Sequence, residues 1–372
     1  MKVMTIIGTR PEFIQIAPLT KILNKHHTEV LVNTGQHYDD NMTRIFIDDL
    51  GLPTPSINLG VGSCSQVQQV CRIMTKLEPI MLQEKPDWVI VFGDTNTTVS
   101  SAIVAAKLQF PIAHIEAGLR SFDRRMPEEI NRVLTDHMSH LLFAPTQQAV
   151  DNLLKEGMIR GVHKVGDVRV DLCHDISELS KRRVPKLIKK IGLSTEQPFA
   201  LTTIHRPINT DNPDRLSNII KVLNSLDLVV VLPVHPRLRK MMSAFSFQFG
   251  NNVKVIDPVG ILDMFALIHA CEIVITDSGG LQKEAYMLHR PAVTVRDSTE
   301  WIETIEAGWN RLCEANKESF IAAITEARLS PPDEHPDFYG EVNVCGRIVQ
   351  ILENNLERLP ENDSETISQL IT

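Results

Sequence analysis

Short apolar, β-branched runs alternate along this chain with segments whose apolar residues recur at helical spacing. In the first half the runs Val3–Ile7, Glu29–Asn33, Asp87–Phe92, Pro111–Ile115 and His140–Phe143 read as strands. In the second half Phe199–Ile204, Leu228–Leu232, Val253–Ile256, Glu272–Ile275 and Ala292–Val295 repeat the rhythm. Strands alternating with helices predict right-handed crossovers, parallel sheets and an α/β fold class, here in two units. In such sheets ligands bind beyond the carboxyl ends of the strands, so functional groups are expected just after each run. The basic, poorly apolar stretch Ser180–Lys190, continuing to Pro198, reads as the passage between the halves, and the polar tail from Glu361 carries no strong pattern.

Composition narrows the class. A chain of 372 residues exceeds one ordinary core and suggests two domains. With 43% hydrophobic and 23% charged residues it has the balance of a soluble globular protein, and no stretch approaches the roughly 18 uninterrupted apolar residues of a membrane span. Met1–Ile7 is too short an apolar run for a signal peptide, so a cytoplasmic protein without a membrane partner is expected. Six cysteines lack Cys-x-x-Cys spacing, which argues against a zinc site and a disulfide framework. A formal charge of −8 argues against nucleic acid as a partner.

The strand ends carry the chemistry. After Ile273-Val274-Ile275 comes Thr276-Asp277-Ser278-Gly279-Gly280, then Leu281, Ala285 and Leu288 at helical spacing. A Ser-Gly-Gly turn opening a helix lets a ligand approach the backbone, and the helix's N-terminal amides and dipole favour a phosphate; Glu284, just over a turn further on, suits a ribose diol. A tight turn without any ligand accounts for the same residues. Gly8-Thr9-Arg10-Pro11-Glu12 follows the first strand, where Arg10 offers a rigid fork of donors to a diphosphate or is a solvated loop residue. Asp94 and Glu116 sit at neighbouring strand ends. Asp94 also suits a helix cap, whereas an acid like Glu116 directly after a buried strand has to pair, coordinate or move protons. Glu128 follows Pro127 with Arg132 close behind, a pattern that dipole preference at a helix start also explains. His205 and Arg206 end one strand of the second half and His235 the next, where a His-Arg pair facing a phosphate turn suits an anionic leaving group. Asp136, His137 and His140 have the spacing of an ordinary helix end with no evident third ligand, so no metal site is expected.

Taken together, Gly8–Glu12, Thr34-Gly35-Gln36-His37, Gly93-Asp94-Thr95, His114–Arg120, Pro127–Arg132, Thr276–Glu284 and Glu303–Gly308 resemble, in order, the motifs of the bacterial non-hydrolysing UDP-N-acetylglucosamine 2-epimerases. The likeness runs from Met1 to about Leu352. It implies two Rossmann-like domains with parallel sheets in a glycosyltransferase-B arrangement: residues 1–175 carrying the catalytic acids, residues 176–343 binding UDP, a C-terminal helix at about 344–360 crossing back to the first domain, and a polar tail at 361–372. It also implies a homodimer without a cofactor that interconverts UDP-N-acetylglucosamine and UDP-N-acetylmannosamine, supplying ManNAc units for surface polysaccharide.

The resemblance implies roles as well. Arg10, His205, Ser278, Gly279 and Gly280 match positions around the diphosphate, with Arg206 beside them, and Glu284 matches the carboxylate on the ribose. Asp94, Glu116, Glu128 and His205 are the expected catalytic set, with Arg132 beside the acids. The sugar C2–H has no adjacent carbonyl, and no Gly-x-Gly-x-x-Gly supports transient oxidation by NAD. The remaining route eliminates UDP to a 2-acetamidoglucal and adds it back, which requires cations and helix-end amides for the leaving group and more than one acid for two-sided proton work. A hydrolysing epimerase releasing free ManNAc and UDP, a glycosyltransferase of the same architecture and a non-catalytic nucleotide-sugar sensor are the alternatives.

Three positions depart from the family pattern. Gln15 stands where relatives usually carry lysine, the loop after His205 reads Arg206-Pro207-Ile208-Asn209, and Met264 stands where some relatives place phenylalanine against uracil. Gln36–Asp40 and Gly60–Ser63 lack the partners by which some members bind a second UDP-N-acetylglucosamine as activator.

Overall fold

Trp88–Phe92 is buried at all five positions, as expected of a central parallel strand covered by helices on both faces. The computed structural model describes residues 1–36 and 54–356. Within them, β1 (Lys2–Ile7), β2 (Thr28–Asn33), β3 (Ile57–Asn58), β4 (Trp88–Phe92), β5 (Ile112–Ile115), β6 (Leu141–Ala144) and β7 (Val162–Lys164) form a seven-stranded sheet in the order β3-β2-β1-β4-β5-β6-β7. A second sheet of six strands comprises β8 (Phe199–Thr203), β9 (Val229–Pro233), β10 (Val253–Ile256), β11 (Ile273–Thr276), β12 (Ala292–Val295) and β13 (Asn310–Cys313), in the order β10-β9-β8-β11-β12-β13. Every described ladder is parallel. The α/β expectation therefore holds, and each predicted run lies within one residue of an observed strand at either end. β3, β7 and β13 escaped the pattern.

Contacts divide the chain into Met1–Leu172 with Asp337 onward, and Cys173–Pro336. The division falls inside the helix Val168–Lys190, so Ser180–Lys190 is helical rather than an open connection. Its lysines and arginines are good helix formers, and Pro185 in their midst hid the helix. In the first unit Asp171 holds the start of the helix Val344–Asn354: its carboxylate accepts from Asn343 N (2.6 Å), Val344 N (3.1 Å) and Cys345 N (2.8 Å). Trp88 Nε1 donates to Leu352 O (3.2 Å) at the other end. The expected tail 361–372 lies outside the described residues.

Each unit has its own core. Met4, Ile6, Val89 and Val91 pack against Ile73, Leu77 and Met81 of the helix Gln66–Glu84, while Leu201 and Val231 lie inside the second sheet. Loops leaving the carboxyl ends of these rigid strands are consequently held in fixed places.

Candidate functional site

In the first unit three loops converge at the carboxyl ends of β1, β4 and β5. Glu12, in the first turn of the helix Arg10–His26, folds back so that its carboxylate accepts from Gly8 N (2.7 Å) and Thr9 N (2.8 Å). Its other oxygen accepts from Thr95 Oγ1 (2.6 Å), tying the loop after β1 to the one after β4. Burial pushes the Glu12 pKa up to about 7 against the pull of these donors. Arg10 opens this helix; its side chain lies outside the described residues.

Asp94 and Glu116 stand on adjacent strand ends, since β4 pairs with β5 through Phe92 and Ile115. Gly93 turns the chain with φ +58°, and a Cβ there would lie 3.4 Å from Glu116 Oε2. Glu116 itself has φ +74°, a left-handed conformation that a side-chain-bearing residue seldom adopts and that clusters at functional positions. The turn is kept because Glu116 N (3.2 Å) and Ala117 N (3.1 Å) both donate to Phe143 O. Gly118 follows with φ +81°, and a Cβ there would come within 2.3 Å of Ala149 O. Gln15 Nε2 donates to Glu116 Oε2 at 2.9 Å.

Arg132, buried on the helix Pro127–Met138, binds Asp94 through Nη2 and Glu129 Oε2 through Nη1 (3.0 Å). Asn131 Nδ2 donates to Asp94 O (2.9 Å), so one helix fixes both ends of Asp94. Burial raises the Asp94 pKa, Arg132 pulls against it, and the charges of Glu116 and Glu128 add to the rise. Its side chain keeps 31% exposure, so the group is reachable. Glu128 is exposed in the first helical turn, whereas its neighbour Glu129 is buried and accepts from Ser121 N and Phe122 N at 2.9 Å. Asp94, Glu116 and Arg132 are thus brought together, with Glu128 felt at Asp94.

In the second unit, Ser278 caps the helix Gly279–Met287. Gly279 and Gly280 are its first residues, whose amides have no partner within a helix. Glu284 lies on the same helix and is 8% exposed. Beside this turn Asp277 is fully buried at the end of β11. Its carboxylate accepts from His205 N (3.0 Å), Arg206 N (2.9 Å) and Asn209 Nδ2 (3.1 Å), and His205 Nδ1 lies 3.1 Å from Oδ1. Burial opposes its charge, but His205 and these donors hold its pKa below the ordinary aspartate value. The His205-Arg206 turn is therefore locked to the Ser-Gly-Gly turn, as β8 is paired to β11. His235 lies next to His205, with ring centroids 5.4 Å apart. Met264 is half-buried on the helix Ile261–Ala270.

The sequence reading missed Asp277, which lay inside the stretch it singled out, and the contact between Gln15 and Glu116. Of the residues weighed for metal, Asp136 faces His114 and Arg120, His137 faces Glu156 (3.3 Å) and His140 Nδ1 accepts from Ile112 N (3.2 Å). Among the described residues no group of three or more His, Cys, Asp or Glu has the arrangement to hold a metal. Nor is any described helix long and apolar enough to cross a membrane. His37–Asp40, where an activator site was weighed, lie outside the described residues.

Residues 21–353 match the model of the UDP-N-acetylglucosamine 2-epimerase family. The chain is 40% identical over 362 residues to the UDP-N-acetylglucosamine 2-epimerase of Methanocaldococcus jannaschii, covering 95% of this chain and 99% of that protein. It is 42% identical over 357 residues to the UDP-2,3-diacetamido-2,3-dideoxy-D-glucuronate 2-epimerase of Pseudomonas aeruginosa, with 95% and 99% covered. The crystal structure of the M. jannaschii enzyme in complex with UDP-GlcNAc and UDP superposes with a TM-score of 0.88, covering 95% of this chain and all of that one. The chain belongs to the UDP-N-acetylglucosamine 2-epimerase family.

Proposed function

We propose that this protein is an isomerase that interconverts UDP-N-acetylglucosamine and UDP-N-acetylmannosamine. The observation that carries the reading is the pairing of Asp94 with Arg132 beside Glu116, at the ends of two adjacent strands. The anomeric C–O bond breaks and UDP departs with the electron pair. A carboxylate takes the C2 proton, and a C1–C2 double bond forms. Delivery of a proton to the opposite face of C2, with return of the UDP oxygen to C1, completes the inversion. Asp94, whose pKa burial raises, and Glu116 beside it are the proposed pair for this proton removal and delivery. Glu128 is the third acid of this set.

The Ser278-Gly279-Gly280 turn is the proposed diphosphate cradle, with Arg10, His205 and Arg206 contributing cationic or hydrogen-bonding groups and Glu284 taking the ribose. Met264 is the proposed cover for the uracil. The reading includes a homodimer, which light scattering on the intact chain tests.

The P. aeruginosa relative favours one second reading, in which the substrate is UDP-2,3-diacetamido-2,3-dideoxy-D-glucuronate. Both substrates are offered separately and the products resolved by anion-exchange chromatography and NMR. The proposal expects UDP-N-acetylmannosamine from UDP-N-acetylglucosamine at the higher kcat/KM. Turnover of the diacetamido glucuronate alone supports the second reading, and release of free N-acetylmannosamine as the end product rejects both.

A further inference from the structure

The ladder between β1 and β4 runs through Val3–Thr5 and Trp88–Ile90, and so stops two residues short of either strand end. Side chains join the two loops beyond it, and Glu12 makes the link. One oxygen of its carboxylate accepts from Gly8 N (2.7 Å) and Thr9 N (2.8 Å), immediately before Arg10. The other accepts from Thr95 Oγ1 (2.6 Å), immediately after Asp94. A capping box needs a single bond from such an acid to the amide of the capping residue. Glu12 makes that bond to Thr9 and adds two more, one of them to a different loop. It is 2% exposed, and these three partners are neutral donors, so an acid is buried here at a cost that capping a helix does not require. A Cβ at Gly8 would lie 2.0 Å from Thr34 Oγ1 and 2.3 Å from Thr97 Oγ1, which leaves the first loop no slack against the helix Asn96–Lys107. Asp94 is therefore held from two sides: by Asn131 and Arg132 of the helix Pro127–Met138, and through Thr95 by Glu12.

We propose that Glu12 is a positioning residue, whose carboxylate sets the spacing between the loop that leads into Arg10 and the loop that carries Asp94. The inference rests on the reaction proposed above, in which Arg10 serves the diphosphate and Asp94 the proton. The leaving group departs from C1 and the proton from C2, which are adjacent atoms of one ring. Groups acting on the two atoms have to keep a fixed separation, and a displacement of about 1 Å costs on the order of 10²-fold in rate. Glu12 supplies that fixed separation through two amides and a hydroxyl, without acting on the sugar itself.

The test compares Glu12→Ala, Glu12→Gln, Thr95→Val and Thr95→Ser in the intact chain, with kcat from epimerisation, the Kd for UDP from isothermal titration, and folding checked by circular dichroism. Glu12→Ala frees both loops and should lower kcat on the order of 10²-fold while weakening UDP binding several-fold. Thr95→Val cuts the link on the Asp94 side alone, and should lower kcat at least tenfold with the Kd for UDP within about twofold. A glutamine reaches as far, accepting from the two amides and donating to Thr95 Oγ1, so Glu12→Gln should recover most of the rate lost in Glu12→Ala. Thr95→Ser keeps the hydroxyl and should do the same relative to Thr95→Val. General destabilisation gives neither the recovery nor the split between kcat and Kd. Glu12→Gln as slow as Glu12→Ala, or unchanged kcat in both Glu12→Ala and Thr95→Val, overturns the inference. If Glu12→Ala does not fold, the Thr95 pair and Glu12→Gln decide the matter. Wild-type protein inactive on both nucleotide sugars overturns the functional reading and this role with it, whereas active wild type with indifferent variants overturns this role alone.

Discussion

Gln15 donates its side-chain amide to Glu116 at 2.9 Å, from a position 3% exposed on the first helix. A neutral donor therefore orients this carboxylate. An amide orients the acid without stabilising its charged form as an ammonium does. Gln15→Lys should move the acid limb of the pH–rate profile down by about one unit or more, because a cation at hydrogen-bond distance favours the carboxylate. Gln15→Leu, which removes the donor, should move it up. Profiles that superpose for all three proteins would show that Glu116 does not set this limb.

Asp94→Asn and Glu116→Gln should each leave the Kd for UDP nearly unchanged while lowering kcat at least 10²-fold, the usual scale of a general acid or base. Isothermal titration with UDP and an epimerisation assay measure the two quantities on the same preparations. Unchanged turnover in both variants would remove the acids from the mechanism.

Asp277 has no exposed surface and serves four donor groups of the His205-Arg206 loop and Asn209. Asp277→Ala should cost about 2–4 kcal/mol in urea unfolding, because buried amides lose their acceptor. It should also weaken UDP binding at least tenfold by releasing the turn beside Ser278. A variant as stable as wild type would contradict the anchoring role.

Arg296 and Glu300 form a two-pronged pair, both contacts 3.0 Å, with side chains 7% and 10% exposed. Burial works against its charge, but Arg296 holds the Glu300 pKa down to about 2 from 4.5. A depressed carboxyl contributes stability that is complete above the unfolded value and is lost as pH falls toward the folded one. The contribution is about 3 kcal/mol. The stability difference between wild type and Glu300→Gln should therefore shrink from pH 5 to pH 3. A gap that stays constant across this range would refute the assignment.

Most of the fold was legible because central parallel strands are apolar on both faces, as at Trp88–Phe92. The three strands that escaped, Ile57–Asn58, Val162–Lys164 and Asn310–Cys313, all lie at sheet edges. An edge strand pairs on one side and is covered less, so it is short and partly polar, as Val162-His163-Lys164 is. The acids were legible for a similar reason, since charge directly after an apolar run stands out. What supports them was not. His114 and Asp136 are separated by 22 residues and Gln15 and Glu116 by 101, and no local pattern encodes such pairings. Asp277 was hidden by its neighbours, because a Ser-Gly-Gly turn draws attention to the ligand side, while this carboxylate faces inward.

The central claim is that carboxylates of the first unit exchange the sugar's C2 hydrogen with solvent while UDP is detached. Incubation with UDP-N-acetylglucosamine in deuterium oxide, followed by NMR of the recovered nucleotide sugars, tests it most directly. Deuterium at C2 of both the N-acetylglucosamine and N-acetylmannosamine forms is the predicted result. Formation of UDP-N-acetylmannosamine that retains its original hydrogen at C2 would contradict it.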